Sequence, residues 1–150
     1  MDQDRYNWLH RDLATAVIVF HEAGARRLGM TAAERKCAGM IAERGGATPK
    51  ELAEATGLST GAITGIVDRL ERAGYAKREP NPADRRSVIV RPRNTERLGR
   101  ESLPIFQGLT EAMNRLNERY SEEERELILR HLEDTILVLR EQTAKLEKRG

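Results

Sequence analysis

The run Gly57-Leu58-Ser59-Thr60-Gly61-Ala62-Ile63-Thr64-Gly65-Ile66-Val67-Asp68-Arg69-Leu70-Glu71-Arg72-Ala73-Gly74 decides the fold. Ser59 is a helix N-cap type, and Gly74 is a stop signal, so the spacing predicts a helix over 59–73. Within it, Ile63, Ile66, Val67 and Leu70 recur at three and four residues, the mark of one buried stripe. Just upstream, Thr48-Pro49-Lys50-Glu51 combines a capping box with a proline at the first helical position. That opens a short helix, which Gly57 stops. Two helices crossing steeply through a tight turn need a small residue at the contact, a turn residue tolerant of positive φ, and apolar pins. Ala53, Gly57 and the set Leu52, Leu58, Ile63, Ile66 and Leu70 meet those needs. The remaining faces of the second helix carry Ser59, Thr60, Gly61, Ala62, Thr64, Gly65, Asp68 and Arg69. Such a small, polar surface suits a DNA major groove about 12 Å wide, and the first-turn amides suit phosphate.

Outward from this core the pattern changes after Gly74. Residues 75–79 and 87–91 read as two short strands, joined by a Pro80–Arg85 turn rich in proline and Asx residues. A basic hairpin beside a helix-turn-helix is a wing, placed to reach the minor groove or backbone with Arg85 and Arg86. Residues 3–28 show helical periodicity through Tyr6, Leu9, Leu13, Ala16, Val17 and Phe20. Thr31-Ala32-Ala33-Glu34 is a capping box for a helix to about Arg44, which Gly45-Gly46 ends. Asn94 is expected to cap a long helix to Tyr120, kinked or split by Pro104. Ser121-Glu122-Glu123-Glu124 opens a last helix to about Leu146, with Ile128, Leu132, Thr135, Ile136 and Leu139 as a near-heptad seam. The fold class is mainly α with a small β-hairpin wing.

The 150 residues carry 26 Lys and Arg against 24 Asp and Glu. Resolved along the chain, residues 1–46 hold 7 basic and 6 acidic groups, and residues 47–100 hold 11 and 7. Residues 101–150 hold 8 and 11, so the positive charge gathers on the winged middle, where it would attract a polyanion. No stretch has the roughly 18 apolar residues of a membrane span, and Asp2, Asp4 and Arg5 break any signal-peptide pattern. A cytoplasmic protein with no membrane partner is expected. The lone Cys37 excludes an internal disulfide and a cysteine-based zinc site, and reads as a small buried hydrophobe. His10, His21 and His131 lack metal-ligand spacing, so no metal and no cofactor is expected. There is no nucleophile elbow, phosphate loop or metal motif, so no enzyme is expected. Large aromatics concentrate in the terminal helices and not in the wing, which disfavours a single-strand stacking platform.

The run 57–75, followed by Pro80-Asn81-Pro82-Ala83-Asp84-Arg85-Arg86, resembles the MarR (multiple antibiotic resistance) family of winged helix-turn-helix regulators. The motifs cover about residues 30–95, and the element order covers the whole chain. The resemblance implies a single domain, 1–150, with dimerisation helices at 1–30 and 94–150. The winged helix-turn-helix region would span 31–93, with its recognition helix at 59–73 and its wing at 76–91. It implies a homodimeric, ligand-responsive repressor on a palindromic operator in double-stranded DNA, and a small lipophilic or phenolic ligand. Ser59, Thr60, Ala62, Thr64 and Arg69 would read bases, with Arg85 in the minor groove. Lys50 and Arg86 would hold phosphate, and Asp68 would pair with Arg86 to orient the wing. Arg91-Pro92-Arg93-Asn94 departs from the leucine-threonine helix start of many relatives, which puts the hinge after the wing in question. Two other readings remain open: a winged-helix module that binds protein rather than DNA, and a redox- or metal-sensing member of the same fold.

Overall fold

The computed structural model describes residues 2–147, the side chains of Arg85 and Glu147 excepted. The elements are α1 (Gln3–Arg27), α2 (Ala32–Arg44), α3 (Pro49–Thr56), α4 (Thr60–Arg72), β1 (Ala76–Asn81), β2 (Asp84–Pro92), α5 (Thr95–Asn117) and α6 (Glu122–Glu147). They fall into two compact units, residues 1–105 and 106–150, and the boundary lies inside α5. No helix among the described residues is long and apolar enough to cross a membrane.

In the first unit, the capping boxes fix where helices begin. Thr31 and Glu34 exchange bonds at the start of α2, and Thr48 and Glu51 do so at the start of α3. Gly57 ends α3 at φ +69°, a conformation that carries a Cβ penalty in other residues, and so turns the chain into α4 within three residues. Ser59 caps α4 through the Ala62 amide. The stripe Ile63, Ile66, Val67 and Leu70 is buried, and it packs with Cys37, Ala38, Ile41, Leu52, Tyr75 and Val90 in one core. Burying side chains of this size is worth roughly 1.5–3 kcal/mol each, so this core holds α2, α3, α4 and the hairpin together. From α1 only Gly24 and Ala25 are buried, and from α5 only Leu98.

The hairpin differs from its sequence expectation. Pro80 and Asn81 lie in β1 rather than in the turn, and the connection shrinks to Pro82-Ala83. Asn81 makes this possible, because its Oδ1 accepts from the Ala83 amide at 3.0 Å and its Nδ2 donates to Ser87 Oγ at 2.9 Å. Val90, opposite Arg78, exchanges both backbone bonds with Ala47 and so points its polar groups away from β1. By alternation Pro80, two residues on from Arg78, turns its nitrogen to the outside, where no ladder bond is lost. The Ala47–Val90 bridge adds a rudimentary third strand that sequence periodicity did not signal.

Two more expectations are corrected. Asn94 does not cap α5 with its side chain. Its Nδ2 donates to the Gly74 carbonyl at 2.7 Å, and its φ is +49°. Asparagine tolerates that left-handed conformation, and the bond fastens the α5 start to the α4 end. Nor does Pro104 split α5, which runs unbroken from Thr95 to Asn117. A single proline removes one helical bond but leaves those on either side.

In the second unit, Ser121 and Glu124 form a capping box for α6. Arg125 donates to the carbonyls of Asn117 and Tyr120, closing the end of α5. No described side chain of α6 is buried in the single chain, and Leu127, Ile128, Leu132, Ile136 and Leu139 are all exposed.

Candidate nucleic-acid interface

The exposed side of α4 begins at Ser59 and carries Thr60, Gly61, Ala62, Thr64, Asp68 and Arg69. Thr64 Oγ1 donates back to the Thr60 carbonyl at 3.0 Å, leaving its lone pairs outward. At 100° per residue, Thr64, Asp68 and Glu71 share one flank of α4, while Gly65 and Arg69 share the other. An arginine closes each flank.

On the wing side the arginine is Arg78 of β1. Its Nη2 lies 2.7 Å from Asp68 Oδ1, its Nη1 donates to Glu71 Oε2, and its Nη2 also reaches the Thr64 carbonyl at 3.3 Å. Its backbone amide donates to Glu71 Oε1 at 2.6 Å. The partner of Asp68 is therefore Arg78, not Arg86. Strand register decides the matter: Arg78, opposite Val90 near the base of the hairpin, lies against the acidic pair of α4, while Arg86 sits next to the hairpin tip, exposed, with its amide bonded to Asp84 at 3.0 Å.

On the other flank, Arg69 Nε donates to Glu34 Oε1, while Glu34 Oε2 accepts from the Thr31 amide at 2.9 Å. Glu34 is only 6% exposed. Burial pushes its carboxyl up, but the Thr31 amide and the Arg69 guanidinium outweigh burial and hold it below the usual glutamate range. Lys50 stands free on α3 except for Glu54 at 3.8 Å, an exposed pair of little energetic weight. Arg85 lies in β2, and its side chain is outside the described residues.

Behind the wing, Tyr75 Oη donates to Glu101 Oε2 at 2.7 Å, and Arg97 stacks 5.0 Å from the ring centroid while bonding Glu101 at 2.9 Å. Burial first, and the neighbouring carboxylate second, push the phenol up; the Tyr75 hydroxyl and Arg97 hold Glu101 down. Cys37 is fully buried, and burial pushes its thiol up, as suits an inert core residue. Among the described residues no three His, Cys, Asp or Glu side chains are grouped to hold a metal.

Arg78, Glu71 and Glu34 are the residues that sequence reasoning missed here. The i, i+4, i+7 spacing of Thr64, Asp68 and Glu71 marked a common face, but only the hairpin register reveals which basic group meets it.

A helix-turn-helix whose second helix is braced on both flanks, beside a basic hairpin, defines a winged helix-turn-helix DNA-binding protein. The sequence pattern of the MarR family matches residues 28–87. The uncharacterized HTH-type transcriptional regulator YcgE of Bacillus subtilis is 38% identical over 140 residues, 93% of this chain and 90% of that one. The chain belongs to the MarR family of transcriptional regulators. Its fold superposes on the apo form of MarR from Escherichia coli with a TM-score of 0.67 at 25% identity, covering 87% of this chain and 95% of that one. It superposes on Streptococcus pneumoniae FabT, solved in complex with DNA, with a TM-score of 0.78 at 22% identity, covering 93% and 99%.

Proposed function

We propose that this regulator acts as a homodimeric, ligand-responsive repressor in the cytoplasm, on a palindromic operator. The observation that carries the reading is the exposed first half of α4, small and polar, held between two arginine braces beside a basic hairpin. Ser59, Thr60, Ala62 and Thr64 face the major groove in this reading. Arg85 enters the minor groove, and Lys50 and Arg86 hold phosphate. That the FabT and MarR neighbours were solved with DNA supports it. The apolar rows left uncovered on α1 and α6 support a second copy as partner. For a small lipophilic or phenolic effector, a cavity of about 600 Å³ between α1 and α2 is suitable, lined by Val17, Ile18, Ala33 and Met40 with Arg35 and Lys36 beside them.

Selection of duplexes from a random pool, followed by footprinting, tests the reading. Two protected half-sites about one helical turn, ~10 bp, apart are expected, with affinity falling steeply as salt rises. On the selected duplex, Arg85→Ala should cost roughly 1–3 kcal/mol. Failure to enrich any sequence, or affinity indifferent to salt, would remove DNA binding from the account.

A further inference from the structure

We propose that Glu34 is a positioning residue for DNA binding, aiming Arg69 as a phosphate anchor along the groove-entering half of α4. The inference rests on the DNA-binding reading above and changes the part Arg69 plays in it, from base reader to backbone contact.

Among the described residues three capping boxes use the same chemistry, but only one is buried. Glu51 and Glu124 cap from exposed positions, and among the described residues neither carboxylate is bonded to an arginine; Arg44 acts on Glu51 only through space. Glu34 is 6% exposed, and it divides its oxygens between the Thr31 amide and Arg69, 35 residues away. A cap alone does not require a buried charge, since glutamine serves a capping box equally well. The charge therefore answers to Arg69.

The geometry of Arg69 shows what is being aimed. Helical side chains lean toward the N-terminus, and Arg69 Nη1 lies over Gly65, 3.4 Å from where a Cβ would stand. The guanidinium thus lies back along α4 over Gly65, on the flank that Ala62 shares. Glu34 occupies its Nε edge, yet the side chain keeps half of its surface in solvent. A guanidinium presents five donors in a fixed fork. With one edge fixed on a buried carboxylate, the other is held ready for an anion beside the helix, so less rotamer freedom is lost on binding. Its place on the flank of α4, rather than at the centre of the exposed face, fits the phosphate backbone at the groove wall better than a base edge.

The test uses fluorescence anisotropy on the full-length protein. Its probes are a labelled duplex enriched by the wild-type protein from a random pool and a scrambled duplex of the same composition. Glu34→Gln, Arg69→Gln and the double variant are titrated at several salt concentrations, with thermal midpoints measured alongside. Arg69→Gln is expected to weaken both duplexes by similar factors and to reduce the slope of log affinity against log salt by about one. Glu34→Gln should reproduce most of that change, and the double variant should be no worse than Arg69→Gln. If Glu34→Gln lowers the thermal midpoint but leaves affinity and salt slope unchanged, the pair only joins α2 to α4 and the proposal is overturned. A loss by Arg69→Gln confined to the enriched duplex makes Arg69 a base reader and overturns it equally. A wild-type protein that enriches nothing refutes the DNA-binding reading itself, an outcome distinct from the other two.

Discussion

At Gly46 the backbone has φ +149°, and a Cβ built there would lie 3.0 Å from Arg91 Nη1 and 3.2 Å from Ile89 Cδ1. Arg91 is not free to yield, since its Nη1 donates to the Gly45 carbonyl at 2.8 Å. Gly46→Ala should therefore destabilise the chain by about 1–2 kcal/mol, measurable by urea unfolding. Glu34 supplies a second prediction at this scale. Its carboxyl is held below the ordinary glutamate value in the folded chain, so the folded state binds that proton more weakly than the unfolded state. The stability it contributes is present above the ordinary value and is lost as pH falls through the depressed one. Calorimetry should show the thermal midpoint falling as pH is lowered below the ordinary glutamate range, with a shallower fall in Glu34→Gln. The difference between the two proteins isolates this group from Glu51, Glu79 and Glu101, whose carboxyls are also held low.

The wing and α4 behave as one element because Arg78 joins them. Arg78→Gln leaves Asp68 and Glu71 facing each other without a cation, and the partly exposed network should cost about 1 kcal/mol. The sharper readout is hydrogen exchange: amides of β1 and β2 should lose protection while those of α2 and α3 keep theirs. Protection unchanged across the hairpin would show that the core residues alone fix the wing. Helix starts were plain in the sequence, because Thr31-Glu34, Thr48-Glu51, Ser59 and Ser121-Glu124 announce themselves through bonds spanning three residues. So was the buried stripe of α4. What sequence did not disclose depends on contacts between distant segments. The Ala47–Val90 bridge, the choice of Arg78 over Arg86 and the engagement of Arg69 by Glu34 all follow from register and packing. Asn94 misled for a local reason: the same side chain that caps helices also suits a left-handed residue bonded backward.

For the molecule as a whole, α6 poses the plainest energetic problem. A 26-residue helix with Leu127, Ile128, Leu132, Ile136 and Leu139 all exposed has, among its described residues, no buried apolar side chain to stabilise it within one chain. Sedimentation at micromolar concentration should give a dimer, and replacing Leu132 and Ile136 together with glutamate should shift it to monomer with loss of helix signal. A wild-type monomer with full helicity would exclude the second copy as the partner that covers α6.

A two-stranded ribbon presents edges whose unpaired backbone groups can recruit further strands. Along the outer side of β1, the Arg78 amide is already taken by Glu71, and Pro80 has no amide to offer. On the far side of β2, Ala47 occupies Val90. The wing is thus blunted on both edges, and a proline that looked like part of a turn serves as a guard against aggregation.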